Sequence, residues 1–353
     1  MALAASLAPS LIDQDVLTQL LGASGLVDPA LAQQAGVLAG RFPTPVQHDL
    51  FLEFEFGDEA VPAGFGLGFP AGALDRFRAL QHPFLATALG QSLEAAFADD
   101  PFADDHREHL NLFGDPDPDW VEYDVSEGRM DTTPFVFFRL PSRLRRLASA
   151  DNVRELCAIL PGRAATGDFA NLLNRIVTHG PASPYRIGVA RSRGAGWWRA
   201  IVTDLDLEQV VLALEGLGAA HYEGPLGPAS RLYEQGMDRP GARFALSIDV
   251  LDDRITAVDV ECPFLFRIAD PQGRAGPLRD YVREIADLGI VSGATAAWIQ
   301  DNVVRDVTLP QGGASLKVML HHLKFRLFGQ PHLRTKAYLH LGLISGPAAV
   351  AVT

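Results

Sequence analysis

A chain of 353 residues with 48% hydrophobic and 21% charged residues carries enough apolar mass for one large core. Its formal net charge of -13 excludes the basic surface a nucleic-acid binder needs, and no apolar run reaches the length of a membrane span. Its two cysteines, Cys157 and Cys262, lie far apart with no CxxC spacing, which excludes a disulfide framework or a zinc knuckle and fits a reducing cytoplasm.

Along the chain, helical and strand patterns alternate in a repeating order. Residues 1–10 are apolar without the basic start of a signal peptide, and are expected to be a disordered leader. Helical periodicity over 11–21 and 29–38 comes before the first strand pattern, 49–56, where Glu53 and Glu55 share one face and Leu50, Leu52 and Phe54 the other. Residues 65–69 are its expected hairpin partner. Helical patterns at 73–80 and 83–97 precede a second hairpin, 120–125 with 135–140, and those at 142–160 and 168–178 precede a third, 185–191 with 197–203. Patterns at 207–217 and 229–235 precede a fourth, 244–250 with 255–262, and those at 277–288 and 294–305 precede the last. Asp206 is placed to cap its helix, and Gly218 and Gly289 to stop theirs. The whole reads as one domain, 1–353, of repeated helix–helix–hairpin units.

The last hairpin, 322–328 with 334–340, alternates strictly. His322, Lys324 and Arg326 share a face in its first strand, and Arg334, Lys336, Tyr338 and His340 in its second. Five such hairpins imply an α+β fold: an antiparallel β-barrel or strongly curved sheet of about ten strands, ringed by helices. In a closed barrel the helices cover the apolar outside and the polar faces line the lumen. The lumen would then combine Glu122, Asp124, Asp249 and Glu261 with Arg139, Arg199, Lys324, Arg326 and Lys336. Trp197, Trp198 and Tyr338 offer faces to an aromatic group. His321 and His322, being adjacent, are expected on opposite faces of their strand.

Three smaller constellations carry weaker chemistry. His106 and His109 lie in an acidic, proline-rich stretch that reads as a solvated loop. His221 and Glu223 match the His-x-Glu of a facial triad for iron, which would make an oxygenase, but in a glycine-rich loop. Cys157 and Cys262 read as core residues. Neither a metal nor a cofactor is expected.

Two resemblances follow from these residues. Arg334-Thr335-Lys336-Ala337-Tyr338 is similar to the Arg-x-Lys-x-Tyr stretch of the ABBA aromatic prenyltransferases, whose barrel has the same alternation of helix pairs and hairpins. That resemblance implies a lumen for an isoprenyl diphosphate and an aromatic acceptor, with Glu53 or Glu55 standing for the carboxylate on an early strand. The family repeats its Lys-x-Tyr pattern on several strands; in this chain only the last hairpin has it, and the middle strands offer Ser247, Asp249, Asp259 and Glu261. The second resemblance runs through Trp120-Val121-Glu122-Tyr123-Asp124, Leu246-Ser247-Ile248-Asp249-Val250, Val258-Asp259-Val260-Glu261-Cys262 and His321-His322-Leu323-Lys324. These phrases resemble the peptide-binding proteins of the crocagin type of ribosomal-peptide pathway. That resemblance implies an accessory protein that binds a precursor peptide and guides its modification, with other pathway enzymes as partners and a homo-oligomer compatible with it. Lys324, Arg326, Arg334, Lys336, Tyr338, His340, Glu122, Asp249, Glu261 and Arg199 are the expected ligand contacts. Prenyl transfer to an indole or peptide is the alternative.

Overall fold

In the computed structural model, residues 14–40, 50–57, 59–68, 117–131, 135–139, 167–180, 182–189, 193, 197–219, 224, 226–236, 243–252, 254–264, 272–309, 314–329 and 333–345 are described. The helical patterns at 73–80, 83–97 and 142–160, the leader, His106, His109, Cys157, and the His221–Glu223 pair fall outside them.

Every strand pattern becomes a strand. In chain order these are β1 (Leu50–Phe56), β2 (Ala60–Gly68), β3 (Asp117–Ser126), β4 (Arg129–Met130), β5 (Phe135–Arg139), β6 (Ser183–Val189), β7 (Trp197–Leu205), β8 (Phe244–Leu251), β9 (Arg254–Pro263), β10 (Val304–Thr308), β11 (Ala314–Phe328) and β12 (Arg334–Ser345). Among the described residues there are seven helices: α1 (Gln14–Ser24), α2 (Pro29–Gly40), α3 (Asp168–Val177), α4 (Leu207–Gly216), α5 (Leu226–Gly236), α6 (Gln272–Asp287) and α7 (Gly293–Asp301). The helical pattern at 294–305 ends early because Asn302 closes α7 and β-branched Val303 and Val304 lead into β10. Asp206 caps α4 as expected. It accepts from the Gln209 backbone N–H while the Gln209 side chain takes the Asp206 N–H, a reciprocal box.

The sheet is antiparallel and closes. Pairing runs β11-β12-β1-β2-β3-β5-β6-β7-β8-β9, and β9 returns to β11. Closure is possible because β11 is long: residues 315–319 pair with β10 and 322–328 with β9. Ten strands thus form a ring with no open edge in the path, which removes the pairing hazard of an open sheet. The β11–β12 turn needs Gly329. Its φ is +83°, and a Cβ there would run into the Thr256 carbonyl of β9.

Strand periodicity then sorts the side chains. Leu50, Leu52 and Phe54, Ala200 and Val202, Leu246, Ile248 and Val250, and Leu323, Phe325 and Leu327 face outward into one core shared with the helices. Leu17, Leu173, Ile176, Leu214, Leu278 and Ile285 meet them from the helix side. Burying each such Leu or Ile contributes roughly 1.5–3 kcal/mol. Trp198 belongs to this layer, edge-on to Phe169 at 4.9 Å, so its ring is spent on α3 and cannot pack on a ligand in the lumen. The alternate residues face in.

Candidate functional site

The lumen has two unlike walls. One, made by β8, β9, β11, β12 and β1, is charged. Arg199 of β7 grips Asp249 with both nitrogens at 2.5 and 3.1 Å. Arg326 grips Asp259 at 2.5 and 2.9 Å and reaches Asp249 at 3.2 Å. Lys324 sits 3.3 Å from Asp259 and 3.4 Å from Glu261 and donates to Ser247 Oγ, which itself donates to Glu261 at 2.5 Å. Lys336 binds Glu53 and lies 3.7 Å from Glu55, which also takes Arg334 at 3.1 Å. Lys324, Asp249, Asp259, Glu53 and Arg199 are all buried. Burial raises the carboxyls of Asp249, Asp259 and Glu261, but the adjoining Arg199, Lys324 and Arg326 outweigh it and hold all three below the ordinary range. Glu53 is held low in the same way by Lys336 and Lys324. The wall is therefore a closed ion-pair network in which each of these cations has a carboxylate.

The other wall, made by β3, β5 and β7 with Phe51 of β1, is aromatic. Phe51 stacks on Trp120 at 4.8 Å, Trp120 meets Phe137 edge-on at 5.6 Å, Phe137 lies 4.2 Å from Phe135, and Phe135 meets Trp197 at 4.8 Å. Ile201 and Ala245 complete this second, separate cluster. Gly188 makes it possible: a Cβ there would stand 2.5 Å from the Phe135 ring and 2.7 Å from that of Phe137. Guanidinium groups cover the rings, with Arg193 4.8 Å over Trp197 and Arg199 5.2 Å over Phe135. Arg193 is itself held by Asp124 at 2.6 Å. The side chain of Arg139 lies outside the described residues.

Where the walls meet, two carboxyls face each other. Glu53 and Glu122 are both buried, and both lie against the missing side chain of Gly64: a Cβ there would stand 3.4 Å from Glu122 Oε1 and 3.5 Å from Glu53 Oε2. Burial pushes Glu122 up to about 8, and the Glu53 charge and their mutual hydrogen bond add to it against Arg199. Glu122 thus carries its proton at neutral pH while Glu53 stays charged, accepting from Lys336 and Tyr338. Tyr338 stacks on His322 at 4.0 Å, and its hydroxyl is pushed well above the usual range by burial and by Glu53.

His321 and His322 both reach the lumen side, against the alternation expected of neighbours. A β-bulge between Leu320 and His322 inserts one extra residue, so His321 turns back to stand 5.3 Å from Phe51 and 2.7 Å from His322, Nδ1 to Nδ1. Burial holds both imidazoles neutral, His322 down to about 4. His340 leans on Phe51 at 5.1 Å. Among the described residues no group of three or more His, Cys, Asp or Glu is placed to hold a metal. Of the ten expected contacts, nine join one network of ion pairs, hydrogen bonds and the contact of Lys324 with the Tyr338 ring, Arg334 entering it half exposed at the rim through Glu55, while His340 packs on Phe51 of the aromatic wall. Of the aromatic wall only Trp197 was expected, and Phe51, Trp120, Phe135 and Phe137 were missed. Its signal was present in Phe135 and Phe137, two apart, and in Phe51, two before Glu53.

No known family profile and no curated protein matches the chain. Solved structures do. The chain is 14% identical to 6-dimethylallyltryptophan synthase from Micromonospora olivasterospora in complex with DMASPP and Trp, covering 94% of this chain and 97% of that one at a TM-score of 0.56. AnaPT from Neosartorya fischeri is also 14% identical over 97% of each chain, at 0.54. PriB with product diphosphate is 15% identical over 93% of this chain and 94% of that one, at 0.53. The fold is the barrel of the ABBA aromatic prenyltransferases. At these identities the likeness speaks for fold alone, and it gives no support to the crocagin-type resemblance.

Proposed function

We propose that the protein transfers a prenyl group from its diphosphate to an aromatic acceptor, an indole or an indole-bearing peptide, inside this barrel. The observation that carries the reading is the junction of the two walls, where the charged carboxylate of Glu53 lies beside a bowl of five aromatic rings. An aromatic acceptor packs on Phe51, Trp120, Phe135, Phe137 and Trp197, whose faces also stabilise a developing allyl cation. Glu53 accepts the acceptor's N–H and takes the proton released when the ring regains aromaticity. Lys324, Arg326, Lys336 and Tyr338 are the groups available to the diphosphate. To hold it they must exchange carboxylate partners for phosphate oxygens, which asks for proton uptake by the lumen carboxyls. Incubation with dimethylallyl diphosphate and tryptophan, indole or a tryptophan-containing peptide is expected to give a product heavier by one dimethylallyl group, lost in Glu53→Gln. No product with any of these acceptors would remove the reading.

A second reading is favoured by the ion-pair network itself. A lumen whose cations are already matched by carboxylates suits a ligand with donors and acceptors in balance, such as a ribosomal precursor peptide held for modification by other enzymes. Calorimetry with cognate precursor peptides separates the two: it expects binding that weakens in Lys336→Ala and Arg326→Ala, with no transfer of a prenyl group.

A further inference from the structure

The indole nitrogen of Trp120 has no hydrogen-bond partner among the described residues, and the residue is only 8% exposed. A buried N–H left unmet is costly, and nearly all such groups in folded proteins are paired. The other unmet buried side-chain atoms among the described residues, Asn302 Oδ1 and Arg305 Nε, lie at the start of β10, away from the lumen. Trp120 stands inside the barrel, on the same face of β3 as Glu122, stacked on Phe51 and edge-on to Phe137. Two further facts describe what belongs beside it. The guanidinium of Arg186 lies 5.3 Å over its ring, so an electron-rich group near the indole is welcome. And β2 sets only glycine beside it: Gly68 is its partner in register, and at Gly66 a Cβ would stand 3.9 Å from the Trp120 ring and 3.6 Å from Phe51 Cβ.

We infer that Trp120 Nε1 is a specificity contact that selects, among aromatic ligands of the lumen, those bearing a carbonyl oxygen. An indole N–H can only donate, so the ligand atom that meets it must accept. Indole itself has no acceptor and leaves Nε1 unmet; a carboxamide or acyl oxygen on the ring satisfies it. A site that offers a buried donor discriminates strongly against ligands that cannot take it. The inference rests on the reading of the lumen as an aromatic-acceptor chamber, but it concerns binding and not transfer.

The test compares indole with indole-3-carboxamide by calorimetry on the full chain. The wild-type protein is expected to prefer the carboxamide by about tenfold or more, the size of one satisfied buried hydrogen bond. Trp120→Phe keeps an aromatic ring and removes the N–H, so the ratio of the two affinities is expected to fall to about one, whatever the change in affinity common to both probes. A variant that keeps the wild-type preference overturns the inference, as does a wild-type protein that binds both probes equally or neither. Nitrogen-15 labelling of the four tryptophans gives a readout that does not depend on the variant folding: one indole N–H resonance moves downfield with the carboxamide and stays with indole. If none moves, the inference falls. Carboxamide preference without any prenyl transfer would sink the proposed reaction and leave this contact standing.

Discussion

The charged wall and the aromatic wall occupy the same barrel and are built on opposite principles. On β9, β11 and β12 each polar group answers another: Arg326 takes Asp259, Lys324 takes Asp259 and Glu261, Lys336 takes Glu53. On β3 and β5 the rings answer one another, and the polar groups among them are left in unusual states, Glu122 with its proton and Trp120 Nε1 without a hydrogen-bond partner among the described residues. A network that satisfies itself is scaffold first, since desolvating its charges is repaid only by their own pairing. A surface that leaves donors unspent is the better place to look for a ligand. The conspicuous cations of the last hairpin therefore spend their charge on the barrel first, and a ligand must win them from their carboxylates, whereas the aromatic wall offers its donor as it stands.

The sharpest way to break this contrast is to remove a cation from the network. Lys324 is 3% exposed and stands between two carboxylates. Lys324→Met leaves Glu261 in a buried place without its cation and Asp259 to Arg326 alone, and is expected to cost about 3–5 kcal/mol in urea unfolding. The same change at Arg334, half exposed at the rim, is expected to cost less than about 1 kcal/mol. Equal losses at both positions would mean that Lys324 carries no scaffold load.

The charged wall was legible because its alternation is strict. His322, Lys324 and Arg326 against Leu323, Phe325 and Leu327 leave one register in which the apolar set is buried, and closing the barrel fixes which face turns in. The same logic placed Asp249 and Glu261. What it could not show was the pairing, because which Arg meets which Asp depends on registers between strands far apart in the chain, such as β7 with β8 and β9 with β11. The aromatic wall was harder for a different reason: in Phe135-Val136-Phe137-Phe138 every residue is apolar, so period two has no contrast to display. The bulge at His321 was invisible, since one inserted residue changes no letter of the pattern.

The meeting of the walls predicts a pH effect with a definite sign. Folded Glu122 keeps its proton up to about 8, whereas its ordinary value is 4.5. Between these values the folded state binds the extra proton, so the contribution to stability is complete below 4.5 and is lost as pH rises through 8. The groups facing Glu122 are Glu53, Asp124 and Arg199, and of these only the carboxylates favour its proton. Glu122→Gln keeps a donor and removes the titration. It is expected to match the wild-type protein near pH 5 and to exceed it by roughly 1–3 kcal/mol near pH 9, measured by denaturant unfolding across the range. A difference between the two proteins that does not change with pH would place the Glu122 proton elsewhere.

The smallest effect probes the aromatic side alone. Gly188 lies on β6 between Phe137 and Arg199 in register, and its missing side chain is the floor on which Phe135 and Phe137 rest. Gly188→Ala puts a methyl group at 2.5 Å from one ring and 2.7 Å from the other, so both must tilt toward the lumen. Strand φ and ψ suit alanine at least as well as glycine, so the backbone gains slightly while the packing loses. The net cost is expected to be about 1–2 kcal/mol, typical of an overfilled core. The informative readout is ligand binding: rings pushed into the lumen narrow the aromatic bowl and should weaken indole binding, while the ion pairs of β9, β11 and β12, which share no atoms with Gly188, keep their stability. If indole binding is untouched and stability falls as far as in Lys324→Met, the rings are structural filling, and the two walls are a single scaffold.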